Sequence, residues 1–201
     1  MKVFVRAVAV VAAALVAGCV NLGDAKHPEM RRHTVDAATG VTAKKGAAPG
    51  LAVRPFGARA RYDLRVVRRD GVDAFVYLEF DRWGETPADA ATDAVREGLA
   101  ASGAFAFVSS SGDALAVERF LDGYVLGFDL VKSEKGPWSA RFAVRLSLSD
   151  KLGKLLHTAV YESSRELPDA SAAGVGPAMS AAVGDVVNRA LADWTNAGAL
   201  K

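Results

Sequence analysis

Residues 138–148 alternate: Trp138, Ala140, Phe142, Val144, Leu146 and Leu148 are apolar, and Ser139, Arg141, Arg145 and Ser147 stand between them. Successive side chains of a strand point to opposite faces, so this segment is a long strand with one face packed and the other in water. A slip of one residue would turn the whole apolar set outward, which specifies the register strongly. Strands with one wet face belong to antiparallel sheets. The neighbours repeat the pattern. Tyr124, Leu126, Phe128 and Leu130 alternate before it, and a third strand is expected from 155 to about 164. Turns are expected at 132–137 and 150–153.

Upstream, 51–56, 64–68 and 74–80 are shorter strand candidates, the last one aromatic and β-branched. A helix follows. Thr86 is a good N-cap, Pro87 suits the first helical position, Asp89 favours the first turn, and Gly103 is a natural stop. Ala91, Val95 and Leu99 form its apolar line. Phe105 to Val108 begins another strand. The chain closes with a helix opened by Pro177 and ended by Asn196 and Gly198, with Met179, Val183, Val186, Val187, Ala190, Leu191 and Trp194 as its stripe. Asp185 and Arg189 are spaced as an i,i+4 ion pair. The pattern predicts an α+β domain over 51–201: a mostly antiparallel sheet with two amphipathic helices packed on one face.

The first residues set the compartment. Lys2 and Arg6 are followed by an uncharged, apolar run from 7 to 17, shorter than a bilayer-spanning helix requires. Leu15-Val16-Ala17-Gly18-Cys19 matches the lipobox cut by the bacterial lipoprotein signal peptidase, and Cys19 is the single cysteine of the chain. The expectation is a signal peptide over 1–18 and a lipid thioether on Cys19, which leaves no free thiol and no disulfide. Each buried methylene of such an anchor contributes about 0.8 kcal/mol, so multiple acyl chains hold firmly. Val20, not Asp, follows the cysteine, which favours a periplasm-facing outer-membrane location over the inner membrane. Removing Lys2 and Arg6 with the leader levels the basic count with the 23 acidic residues. Without a basic excess, nucleic acid is not an expected partner. Residues 24–50 contain no Leu, Ile, Phe, Tyr or Trp and are expected to form, within 19–50, a solvated tether holding the domain roughly 25–30 Å from the lipid.

No catalytic set emerges. His27 and His33, with Asp36, fall in the expected tether, and His157 falls on a strand. Zinc spacing, a phosphate-cradling glycine loop and a nucleophile elbow are all missing from the sequence. Glu79, Asp81, Trp83 and Glu85 form the most enzyme-like group, but two acids side by side on one strand face suit a cleaved sugar poorly. Trp83 is expected instead as a packing or interface anchor at a strand–helix junction. The sequence therefore predicts a non-enzymatic protein without metal or cofactor.

Tyr62-Asp-Leu-Arg-Val-Val-Arg-Arg69 leads through an aromatic strand into Arg82-Trp83, then Pro87 and a helix ending Ala101-Ser-Gly-Ala-Phe105, with Val108 after it. Leu121-Asp-Gly-Tyr-Val125 to Phe128 and Trp138-Ser-Ala-Arg-Phe-Ala-Val-Arg-Leu146 follow. In these stretches the chain resembles the ABC-type transport auxiliary lipoproteins, the family that includes the lipoprotein of the paraquat-inducible intermembrane transport system. The resemblance implies a membrane-anchored accessory role beside an ABC permease complex and a periplasmic MCE-domain protein that moves lipids or hydrophobic solutes. Arg82 and Trp83, with the outward-alternating Arg141 and Arg145, are then the candidate anchor and contact residues. The alternative expectation is an envelope-assembly lipoprotein supporting a different outer-membrane partner. Cys19→Ala should abolish incorporation of a clickable fatty acid, because the chain has no other thiol to accept it; label persisting on the variant would refute the lipobox reading.

Overall fold

The computed structural model describes residues 28–36, 38, 40–42, 48–70, 74–110, 117–132, 136–167 and 174–201. Cys19, His27 and the expected leader lie outside the described residues. The strands are β1 (Arg31–His33), β2 (Gly50–Val53), β3 (Gly57–Ala58), β4 (Arg65–Asp70), β5 (Ala74–Trp83), β6 (Val108–Ser110), β7 (Val117–Lys132), β8 (Trp138–Asp150) and β9 (Leu155–Glu166). The helices are α1 (Pro87–Ser102) and α2 (Val175–Asn196). The class is α+β, as the sequence predicts, with a single large sheet.

β7 is the spine of that sheet. One edge pairs antiparallel with β8 from Arg119↔Asp150 to Lys132↔Trp138, and β8 pairs antiparallel with β9. The other edge takes β2, β3 and β4 in succession, all parallel. β5 lies antiparallel beside β4, and β1 and β6 add parallel strands to β5 and β2. The long ladders make the sheet mostly antiparallel, yet five of the eight pairings among the described residues are parallel. Period-two alternation reports which side of a strand is packed and is silent about the direction of its neighbour, so the mixed character was not legible.

The alternation in β7 is also broken. Between Val125 and Gly127 the register against β8 shifts by a bulge. Leu121 and Val125 face the core before it, and Phe128 and Leu130 after it. Tyr124, expected among the packed residues, is 41% exposed, and Asp129 is buried. One extra residue is enough to invert the side-chain parity.

α1 forms as its signals predict. Thr86 accepts from the Asp89 N–H at 3.3 Å and Gly103 ends the helix at φ 63°. Ala91, Val95 and Leu99 are fully packed. α2 begins at Val175, two residues before Pro177. Its expected Asp185–Arg189 pair does not form. Asp185 accepts from Arg165 Nε at 2.6 Å and Ser163 at 2.7 Å, whereas Arg189 donates to the Glu162 carbonyl. A cross-element partner on β9 has displaced the local one. Both helices contact the sheet and each other.

The expected tether is the main correction. Arg31–His33 is strand β1 on the edge of β5, and Val35, Ala38 and Ala48 are buried. Beyond β1 the chain runs over the helices. The Thr34 carbonyl oxygen lies 2.4 Å from where a Cβ on Gly176 would sit, and the Ala38 methyl 2.8 Å from where one on Gly98 would sit. Asn188 closes the path, accepting from the Thr42 N–H and donating to the Gly40 carbonyl, both at 2.9 Å. Small residues on both sides permit this backbone approach, so a segment poor in large apolar residues can still be packed.

Trp83 is the central aromatic of the core at 2% exposure. Its ring meets Phe128 edge-on at 4.7 Å, and Phe128 meets Phe142 at 6.1 Å. Trp83→Ala is expected to cost about 3–5 kcal/mol, the usual range for deleting a large buried aromatic, read as a lowered denaturation midpoint of the chain from residue 19 onward.

Candidate functional site

On the side of the sheet away from Trp83, Asp129 is 1% exposed although it carries an acid. It sits directly opposite Arg141 across the β7–β8 ladder. The Tyr62 hydroxyl donates to Asp129 Oδ2 at 2.7 Å, Arg69 Nε donates to the same oxygen at 3.1 Å, and Arg141 Nη1 donates to Oδ1 at 3.3 Å. Arg141 also grips Glu162 on β9 with Nε and Nη2 at 2.7 and 2.9 Å. The Glu162 bond is the main reason the Arg141 pKa is raised, and the same bond holds the Glu162 carboxyl below its usual range. Burial, reinforced by the bond to Asp129, raises the Tyr62 phenol. Burying a carboxyl costs free energy unless its oxygens are hydrogen-bonded, and these three bonds satisfy both oxygens of Asp129. The arrangement is therefore structural, and it makes room for itself: a Cβ on Gly127 would meet Arg141 Nη1 at 2.3 Å.

Arg141, expected to face outward, is bound on that side by Asp129 and Glu162. Arg145 remains exposed. It lies between Tyr124 on β7 and Val160 on β9, both exposed, forming one row across three strands. Arg82 points its guanidinium at its own strand, donating Nη1 to the Leu78 and Asp81 carbonyls at 2.8 and 3.0 Å. Trp83, packed in the core, is not part of the surface that carries Arg145.

A second cluster holds β1 in place. Arg31 donates Nε and Nη2 to the two oxygens of Asp81 at 3.0 and 2.8 Å, and His33 Nε2 lies 2.8 Å from Asp81 Oδ1. The His33 ring then meets Trp83 edge-on at 6.1 Å. Asp81, expected side by side with Glu79 on one strand face, is 4% exposed, whereas Glu79 stays exposed. Burial pushes the Asp81 carboxyl up, but the Arg31 and His33 bonds outweigh it and the net shift is down. Beside this cluster is a cleft of about 260 Å³, lined by Arg31, His33, Val66, Arg68, Leu78, Asp81, Leu130, Trp138, Leu167 and Val175. The sequence singled out Asp81 but not its burial or its Arg31 and His33 partners, and Asp129, Arg68 and the cleft went unnoticed. Asp129 did leave a signal, as a lone acid in an apolar run opposite an arginine on the next strand.

Glu85, grouped with Asp81 in the sequence, sits just before the first turn of α1. Burial first, and then the charges of Asp93, Asp89 and Glu97, raise its carboxyl at the start of α1. His157 lies on edge strand β9 with the Tyr161 hydroxyl 3.2 Å from its Nε2. Among the described residues no three His, Cys, Asp or Glu side chains gather as a metal site, and no helix is long and apolar enough to cross a membrane.

No family model matches the chain, and no curated protein matches its sequence. Solved structures do match. A DUF330-family protein from Xanthomonas campestris superposes with a TM-score of 0.71 at 16% identity, over 84% of this chain and 97% of that one. An uncharacterised protein superposes with a TM-score of 0.64 at 10% identity, over 81% and 99%. At these identities the likeness is one of fold.

Asp81, Glu162 and Asp185 all titrate below their ordinary values. A depressed carboxyl stabilises the fold fully above its unfolded pKa, about 4, and that contribution disappears as pH falls through the folded value. Thermal stability should therefore drop below about pH 4. Asp81→Asn should flatten that limb and strip hydrogen-exchange protection from Arg31–His33 while β7–β9 stay protected; unchanged protection of β1 would show that backbone pairing alone retains it.

Proposed function

We propose that this chain is a lipid-anchored, non-catalytic auxiliary domain of an ABC/MCE-type transport system for lipids or hydrophobic solutes. Cys19 carries the anchor, and the domain faces the periplasm from the outer membrane. The observation that carries the reading is the combination of the Leu15–Cys19 motif with the Arg82-Trp83 junction before Pro87. The fold likeness to the DUF330 protein supports it at the level of architecture. The stretches that carry the family resemblance are also packing partners: Trp83 from the first meets Phe128 from the second at 4.7 Å.

In this reading α1 and α2 cover one face of the sheet, and the row Tyr124, Arg145 and Val160 on the other meets the periplasmic MCE-type protein. Tyr124 and Val160 contribute apolar area and Arg145 a charge for orientation. The domain docks close to its anchor, because Cys19 and Pro28 are nine chain steps apart and span at most about 30 Å.

The test is co-purification of the intact lipoprotein from crosslinked membranes with the MCE-domain protein of the same cell. Recovery is expected with the native chain and reduced at least ten-fold by Arg145→Glu with Tyr124→Ser, at unchanged melting temperature. Recovery of an outer-membrane barrel and no MCE protein would favour envelope assembly and refute the transport reading. Undiminished recovery with the double variant would keep the partner and reject this face.

A further inference from the structure

The cleft beside β1 is amphipathic. Val66, Leu78, Leu130, Leu167 and Val175 supply apolar walls, and the half-buried Trp138 ring supplies a flat one. Its charge is unbalanced. Asp81 is the one acid among its lining residues, and Arg31 and His33 already bond it. Arg31 uses Nε and Nη2 there, yet its side chain is 57% exposed and keeps further N–H donors. Arg68 lies with its guanidinium carbon 5.5 Å from the Trp138 ring centroid and forms no ion pair with a described acid. Lys132 Nζ stands 5.7 Å from the same ring. Three cations thus border an apolar recess that holds one neutralised carboxylate.

We propose that this cleft binds a single-chain anionic amphiphile, with a carboxylate or phosphate head at Arg68 and Arg31 and its chain against Leu78, Leu130, Trp138 and Leu167. An arginine accommodates either head through paired N–H donors, and the stacked guanidinium is held ready by the ring beneath it. At about 260 Å³, just below the usual range for small-molecule sites of about 300–1,000 Å³, the cleft has room for part of one alkyl chain and none for a second. The site lies on the core-facing side of β4 and β7, opposite the Arg145 row, because Arg68 is in register with Leu130. It does not depend on the transport reading, and its ligand need not be the cargo of any transporter.

The chain from residue 19 onward, with Cys19→Ser so that no lipid is attached, retains every described residue. Trp138 is its natural reporter, since Trp83 and Trp194 are fully buried. Dodecanoate and dodecyl phosphate, each below its micellar concentration, are expected to shift the tryptophan emission saturably at micromolar levels. Dodecanol and dodecyltrimethylammonium should bind at least ten-fold more weakly, and acetate or inorganic phosphate should give no shift at millimolar levels. Arg68→Gln should weaken dodecanoate at least ten-fold by calorimetry, with Arg145→Gln unchanged. Dodecanol matching dodecanoate on the unaltered chain would overturn the proposal without reliance on any variant. So would an Arg68→Gln chain that binds as tightly as the original, or two-chain phosphatidate vesicles competing as well as dodecyl phosphate.

Discussion

β7 has partners along both edges, so the placement of every other strand follows from where its 16 residues point. The bulge at Val125/Gly127 is the decisive local feature. Without it, Leu121, Val125 and Phe128 could not all face the core, and Asp129 would point into it. With it, the aromatic chain Trp83–Phe128–Phe142 closes on one side of the sheet and the Tyr62–Asp129–Arg141–Glu162 network closes on the other. The two sides are coupled at neighbouring residues: Phe128 fixes the packed side, and Asp129 fixes the polar one.

Sequence patterning exposed those parts of the fold in which a single face decides the matter. Ala140, Phe142, Val144, Leu146 and Leu148 are buried as the alternation predicts, and Thr86 and Gly103 bracket α1. It failed where a residue's fate depends on something distant. Val125 and Phe128 share a face because of a bulge that no local propensity announces. Asp185 takes Arg165 in place of Arg189 because β9 brings the former closer. Residues 28–42 read as solvated because composition measures only how much apolar surface a segment owns. It does not register that Thr34 and Ala38 need only a glycine opposite them to pack.

The site residues divide along the same line. Trp83 was legible as an anchor because a large aromatic between a strand and a capped helix has few places to go. Arg141 and Arg145 were legible as outward-facing, but alternation cannot distinguish an arginine that meets water from one that meets a buried acid. Asp129 and Glu162 make that distinction, leaving Arg145 as the exposed member. The cleft was invisible in one dimension, since its lining comes from β1, β4, β5, β7, β8 and the ends of β9 and α2.

The chain enters the described domain through β1, which has mechanical consequences. Tension on the N-terminal residues reaches the core only after passing three register pairs with β5, from Arg31↔Asp81 to His33↔Trp83, and the bonds that gather on the single Asp81 carboxylate. That is a short, serial load path ending on the indole at the centre of the core. The Thr34–Gly176 and Asn188 contacts lie further along the same strand of chain and are loaded only once β1 has let go. A pull would therefore be absorbed in stages, with the first yield point at β1 and the β7–β9 meander shielded behind it.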